Sequence, residues 1–156
     1  MDQLDRKLLA LFTAEPKIGV LAASRRLGIA RGTVQARLDR LERDGVISGW
    51  QPALDPGAMG YPVTGFLTLE ISQGAGHDVV AGRLAKIPEV LEAHTITGAG
   101  DMWVRVVARS NADLQRVIDL VVADEHIERS TTVIALATQV RYRTLPLADV
   151  APRPQK

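Results

Sequence analysis

Residues 17–50 read KIGVLAASRRLGIARGTVQARLDRLERDGVISGW. The spacing predicts two short helices around a tight corner. Leu21, Ala22 and Leu27 supply the inner face of the first, over residues 17–27, which stops at Gly28. Val34, Leu38 and Leu41 recur at i, i+4 and i+7 in the second, over residues 30–44, the spacing of a buried helical stripe. Gly45 follows where a left-handed cap is wanted. With the stripe turned inward, Arg31, Gly32, Gln35, Ala36, Asp39 and Arg43 point outward or to the flanks. That leaves a thin face with long polar arms, the shape of a helix that enters a groove.

Upstream, Asp2 is placed to cap a helix with Asp5 at the third position. Leu4, Leu8, Leu11 and Phe12 form its apolar stripe, and Pro16, without an amide hydrogen, ends it. Three helices then share one core. Residues 46–55 read as a short extended segment, and Gly57, Gly60 and Pro62 mark a hinge.

Downstream the pattern alternates. Val63–Ile71 is a strand, followed by glycines at 74 and 76 and a helix traced by Val80, Leu84 and Ile87 up to Pro88. Residues 90–97 and 102–108 are strands joined by Gly98-Ala99-Gly100-Asp101, a hairpin by its short glycine-containing connection. Ser110 caps a helix carrying Leu114, Val117, Ile118 and Val121, and a last strand covers residues 129–136. The order βαββαβ is the ferredoxin-like unit. The expected class is α+β: a winged helix-turn-helix domain over residues 1–50, a linker over 51–62, the βαββαβ domain over 63–142, and a proline-containing, frayed tail over 143–156.

Charge sharpens this division. The net charge of the chain is only +1, yet residues 1–50 hold nine Lys/Arg against six Asp/Glu. The positive charge gathers on the helical pair. With no cysteine there is neither a disulfide framework nor a thiolate metal site. His77, His94 and His126 have no metal-ligand spacing. The N-terminal apolar run is flanked by acids and too short to span a membrane, so a cytoplasmic protein is expected. An apolar content of 46% is enough for a core in each domain.

The ordered set Gly45-Val46-Ile47-Ser48-Gly49-Trp50, Ala53-Leu54-Asp55, Met59-Gly60, Pro88-Glu89-Val90, Thr97-Gly98-Ala99-Gly100-Asp101 and Thr131-Thr132 resembles the Lrp/AsnC (leucine-responsive, feast/famine) transcriptional regulators. The likeness runs from about Leu4 to Leu136. It implies a regulator that binds double-stranded DNA and responds to a small amino acid. It also implies dimers formed through the βαββαβ domains, often assembled into octamers or open helices. Departures from the family pattern are Ala30 in place of a capping serine, Gly32 in place of a small hydroxyl, Ala23-Ser24 in place of Leu-Ala, and Met102 in place of an aromatic. Loss of a cap costs about 1 kcal/mol, so the expectation is either a looser start to this helix or partial substitution by Thr33.

Two sites follow. Arg31 and Gln35, one turn apart and without a partner evident in sequence, suit guanine and adenine edges. Arg25, Arg26, Arg37 and Arg40 suit phosphates, with Thr33 nearby. For Arg37 and Arg40 the competing reading is pairing within the helix to Asp44 or nearby acids. In the second half, Gly98, Ala99, Gly100, Asp101 and Met102 form a hairpin turn whose free amides can hold a carboxylate, with Asp101 for an ammonium. The family resemblance adds Thr131 and Thr132, in a cleft between subunits. No catalytic residue, metal or cofactor is expected beyond the amino-acid effector. The alternatives are an architectural DNA-binding protein without effector, and an enzyme like the sirohaem decarboxylases. For that enzyme, His94 and Arg105 are the nearest candidates. The cluster Asp124, Glu125 and Glu128 reads as a solvated helix end, and one of Trp103 and Val104 as core or interface.

Overall fold

A computed structural model describes residues 1–72, 74 and 76–150. The chain divides into two compact units, Met1–Ala53 together with the chain from Val140 onward, and Leu54–Gln139.

In the first unit α1 spans Gln3–Ala14. The Asp2 carboxylate accepts from the Asp5 amide at 3.0 Å, and the Asp5 carboxylate accepts from the Asp2 amide at 2.8 Å, so the expected capping box forms. α2 spans Val20–Leu27, three residues shorter at its start than the spacing suggested, and closes on Gly28 at φ +66°. Its inner face is Ala23 and Ser24, flanked by Val20 and Leu27, whereas Leu21 is 48% exposed and Ala22 is exposed. Starting the helix at Val20 puts positions 20, 23, 24 and 27 on one side. The small Ala23 and Ser24 then lie buried beneath that face.

α3 spans Arg31–Arg43, with Val34, Leu38 and Leu41 buried. Ala30 supplies no side-chain cap, and Thr33 enters the first turn through its backbone, donating to the Ala30 carbonyl at 3.0 Å. Leu8, Phe12, Ala23, Val34 and Leu38 form the core. Trp50 meets Phe12 edge-on at 5.3 Å and donates its indole N–H to Glu42 at 2.6 Å. No strand forms between α3 and residue 63.

The C-terminal segment departs from expectation. α6, Leu145–Val150, packs on α1 and buries Ala148. Pro146 is no obstacle, because its missing amide hydrogen falls in the first turn, where none is needed. The expected fraying beyond residue 150 lies outside the described residues.

In the second unit β1 (Val63–Ile71), β2 (Val90–Thr95), β3 (Met102–Ala108) and β4 (Ile127–Ile134) form one antiparallel sheet in the order β2-β3-β1-β4. α4 (His77–Leu84) and α5 (Asn111–Val122, capped by Ser110) contribute to the same core. Leu67, Leu69, Met102, Val104 and Val106 meet Val80, Leu84, Leu114, Val117 and Val121 there. A Cβ on Gly65 would stand 3.2 Å from Leu114 and from Val106, so its hydrogen lets α5 close on the sheet. Among the described residues no helix is long and apolar enough to cross a membrane.

Candidate functional site

The outward face of α3 carries Arg31, Gly32, Thr33, Gln35, Ala36 and Asp39, all exposed. Arg31 has no ion-pair partner among the described residues, and neither does Arg25 on α2. Gln35 is not free: its amide donates to Asp39 at 2.7 Å, one turn on. Arg26 pairs with Glu15.

Arg37 and Arg40 are both engaged in ion pairs. Both reach α1 rather than Asp44. Arg37 pairs with Asp2 and, at 3.1 Å, with Asp5, while Arg40 donates to Asp5 at 2.6 Å. The Asp5 side chain is fully buried. Its two oxygens therefore serve the Asp2 amide and two guanidinium groups at once, locking α3 against the start of α1. The Asp5 amide, followed by the Arg37 guanidinium, lowers the Asp2 carboxyl to about 2. The hydrogen bond to Asp2 in turn raises Arg37 above its ordinary value. α3 is thus oriented by charge-assisted bonds across more than thirty residues of chain, and Asp2 and Asp5 do more than the capping that the sequence alone suggests.

The hairpin turn of the second unit is pressed onto the end of β1. Gly98 and Gly100 have φ of +108° and +92°. The Asp101 amide donates to the Leu69 carbonyl at 2.8 Å, and the Asp101 carboxylate accepts from the Ile71 amide at 2.7 Å. A Cβ on Gly100 would stand 2.5 Å from Thr68 Cγ2. Thr68 pairs with Thr131 of β4, so the turn, Thr68 and Thr131 gather at one place. Thr68 escaped the sequence reading because only the register of β1 brings it there.

Two residues assigned to this site lie elsewhere. Met102 is buried in the core with Val104 and Val106, so it is not a surface lining residue. Thr132 is paired with Leu67, a core residue, and alternation turns it to the face opposite Thr131.

The sheet face that carries Thr68 and Thr131 also carries a cluster of aromatic rings. Phe66 and Trp103 stack at 5.0 Å, with His94 at 5.9 Å from Trp103. Glu92 lies 3.6 Å from Arg105 and 3.7 Å from His94. Val133 is 58% exposed beside Phe66 in register. Val104, by contrast, is fully buried. Asp124 is a further correction: its side chain is buried, not solvated, and accepts from Arg83 at 2.7 Å and from the His126 amide at 3.0 Å. Burial pushes its carboxyl up, but the His126 amide and the Arg83 guanidinium hold it below the ordinary range.

Comparison with known proteins converges on both units. The family model of the Lrp/AsnC ligand binding domain matches residues 64–145, and that of a winged helix-turn-helix DNA-binding domain matches residues 1–48. The chain belongs to the Lrp/AsnC family. It is 29% identical over 147 residues to the HTH-type transcriptional regulator FL11 of Pyrococcus furiosus, covering 94% of this chain and 97% of that protein. In fold it matches Escherichia coli AsnC with a TM-score of 0.85 at 24% identity, over 94% of this chain and 99% of that one. A transcriptional regulator of Neisseria meningitidis, solved as its L-Met complex, matches with a TM-score of 0.84 at 20% identity, over 96% of this chain and 99% of that one.

As an Lrp/AsnC protein, the chain is a DNA-binding transcriptional regulator with a ligand-binding domain. In this Lrp/AsnC member Ala30 leaves the start of α3 without a side-chain cap, and Asp5 clamps α3 to α1.

Proposed function

We propose that this Lrp/AsnC chain reads DNA through the N-terminal half of α3, with Arg31 as the principal base-reading residue and Gln35 beside it. Arg31 carries this reading: it is exposed, at the helix end that reaches base edges, and without an ion-pair partner among the described residues. Gln35 must exchange its bond to Asp39 for a base. Arg25 and Arg26 contact phosphates. Arg37 and Arg40 act chiefly by aiming the helix, since Asp5 already holds both. Two subunits pair through the open sheet face, presenting two reading helices to half-sites about 34 Å apart. The protein works in the cytoplasm.

The effector is a small amino acid, seated at residues 98–101 with Thr68 and Thr131. The L-Met complex of the Neisseria relative supports the ligand class. Binding alters assembly or DNA affinity to the extent that the two states differ in affinity for the ligand. Two measurements test this reading. Arg31→Ala lowers discrimination between an operator fragment and random duplex more than Lys7→Ala does, and equal losses would remove Arg31 from the reading face. In a thermal-shift panel of amino acids, a ligand of the native form raises the melting temperature. Asp101→Ala abolishes that rise while leaving the dimer intact, whereas an undiminished rise would remove Asp101 from the site.

A further inference from the structure

Docking of α6 reassigns the C-terminal charge. Met1–Ala53 with the chain from Val140 onward holds thirteen Lys/Arg against seven Asp/Glu, and Leu54–Gln139 holds six against eleven. The DNA-binding unit is therefore +6 and the ligand-binding unit −5, a wider separation than the helical pair alone suggests. Part of the excess sits on residues 140–144, Val-Arg-Tyr-Arg-Thr, all exposed and in neither helix nor strand. Tyr142 is 85% exposed. Arg143 has no ion-pair partner among the described residues. The segment does not trail freely, because the next residues form α6 on α1, with Ala148 buried.

We propose that residues 140–144 make a second contact with the DNA backbone, in which Arg141 and Arg143 meet phosphates and add affinity without reading sequence. The inference rests on the DNA-binding role of the first unit. Three observations favour a phosphate chain as the partner. The segment is fastened to the unit that carries the reading helix. Its charge has the same sign as that unit, and the ligand-binding unit has the opposite sign. Arginine and tyrosine side chains both hydrogen-bond phosphate oxygens, and an anchored arm loses less conformational entropy on contact than a loose tail.

The test uses the full chain and mixed-sequence duplex DNA, with affinity measured by anisotropy across a salt series. Each phosphate neutralised adds about 0.9 to the slope of log affinity against log salt. Arg143→Ala lowers the slope by about one, and Arg141→Ala with Arg143→Ala by about two. Over a fourfold rise in salt, the double variant then loses about tenfold less affinity than the native chain. Lys86→Ala removes one exposed charge from the other unit and keeps the native slope. Arg143→Gln preserves the stem and gives the same loss of slope if the alanine variants melt early.

Unchanged slopes in the Arg141 and Arg143 variants overturn the proposal. So does a drop in Lys86→Ala equal to that in Arg143→Ala, since net charge would then be the cause. Salt-insensitive or absent binding by the native chain would overturn the DNA reading itself, an outcome distinct from both.

Discussion

Asp5 shows how much one side chain can decide. From the sequence it is the third residue of a helix, available for a capping box, and it does make that box. Burial gives it a second role, as the acceptor for Arg37 and Arg40. Removing it leaves two partly buried guanidinium groups and the Asp2 amide without their acceptor. Asp5→Ala therefore lowers stability by about 3 kcal/mol, read by chemical denaturation, and weakens operator binding although Asp5 touches no DNA. Asp2 adds a pH dependence. Its folded value of about 2 lies below its ordinary 3.8, so the ionised form is favoured by folding. That contribution is fully present above pH about 4 and is lost as pH falls toward 2. Asp2→Asn flattens this part of the acid limb in a series of denaturation curves, and an unaltered limb would show that Asp2 does not carry it.

At the scale of elements, the turn between β2 and β3 is a tight fit rather than a spacer. Gly100 combines φ of +92° with a Cβ position 2.5 Å from Thr68 Cγ2 and 3.1 Å from the Leu69 carbonyl. Gly98 has φ of +108° but open space around it. Gly98→Ala costs about 1 kcal/mol from backbone strain alone. Gly100→Ala costs about 2 kcal/mol or more, because backbone of β1 must also give way. Thermal melts of the two variants check the order, and equal losses would mean that the turn rides loosely over β1. α2 teaches a related lesson. The apolar letters at Leu21 and Ala22 suggested one inner face, but the helix starts at Val20 and buries Ala23 and Ser24. Small residues can be the buried ones when another element packs close above them, and hydrophobicity alone does not reveal that.

At the scale of the whole molecule, the open sheet face is the surface proposed above to meet a second copy. Phe66, Trp103 and Val133 leave apolar surface on one side of a sheet whose other side is already covered, a pattern associated with interaction sites. With the two copies paired through this face as proposed, Trp103→Glu sets a charge from each copy into the contact and yields a monomer by light scattering, with the melting of the monomer fold little changed. A variant that still elutes as a dimer would move the interface elsewhere.

The sequence by itself determined what depends on neighbours along the chain. The caps at Asp2, Ser110 and Gly28, the period-3.6 stripe of α3, the strand at residues 63–71 and the βαββαβ order are of this kind, because each arises from interactions within a few residues. Motif order alone was enough to point to the family. Only the tertiary structure decided what depends on residues far apart. It turned Arg37 and Arg40 toward α1, put Met102 in the core, set Thr131 and Thr132 on opposite faces, buried Asp124 beside Arg83, and brought the C-terminal segment back to the first unit. In each case a partner from another element determines which way a side chain faces, and no local spacing encodes that partner.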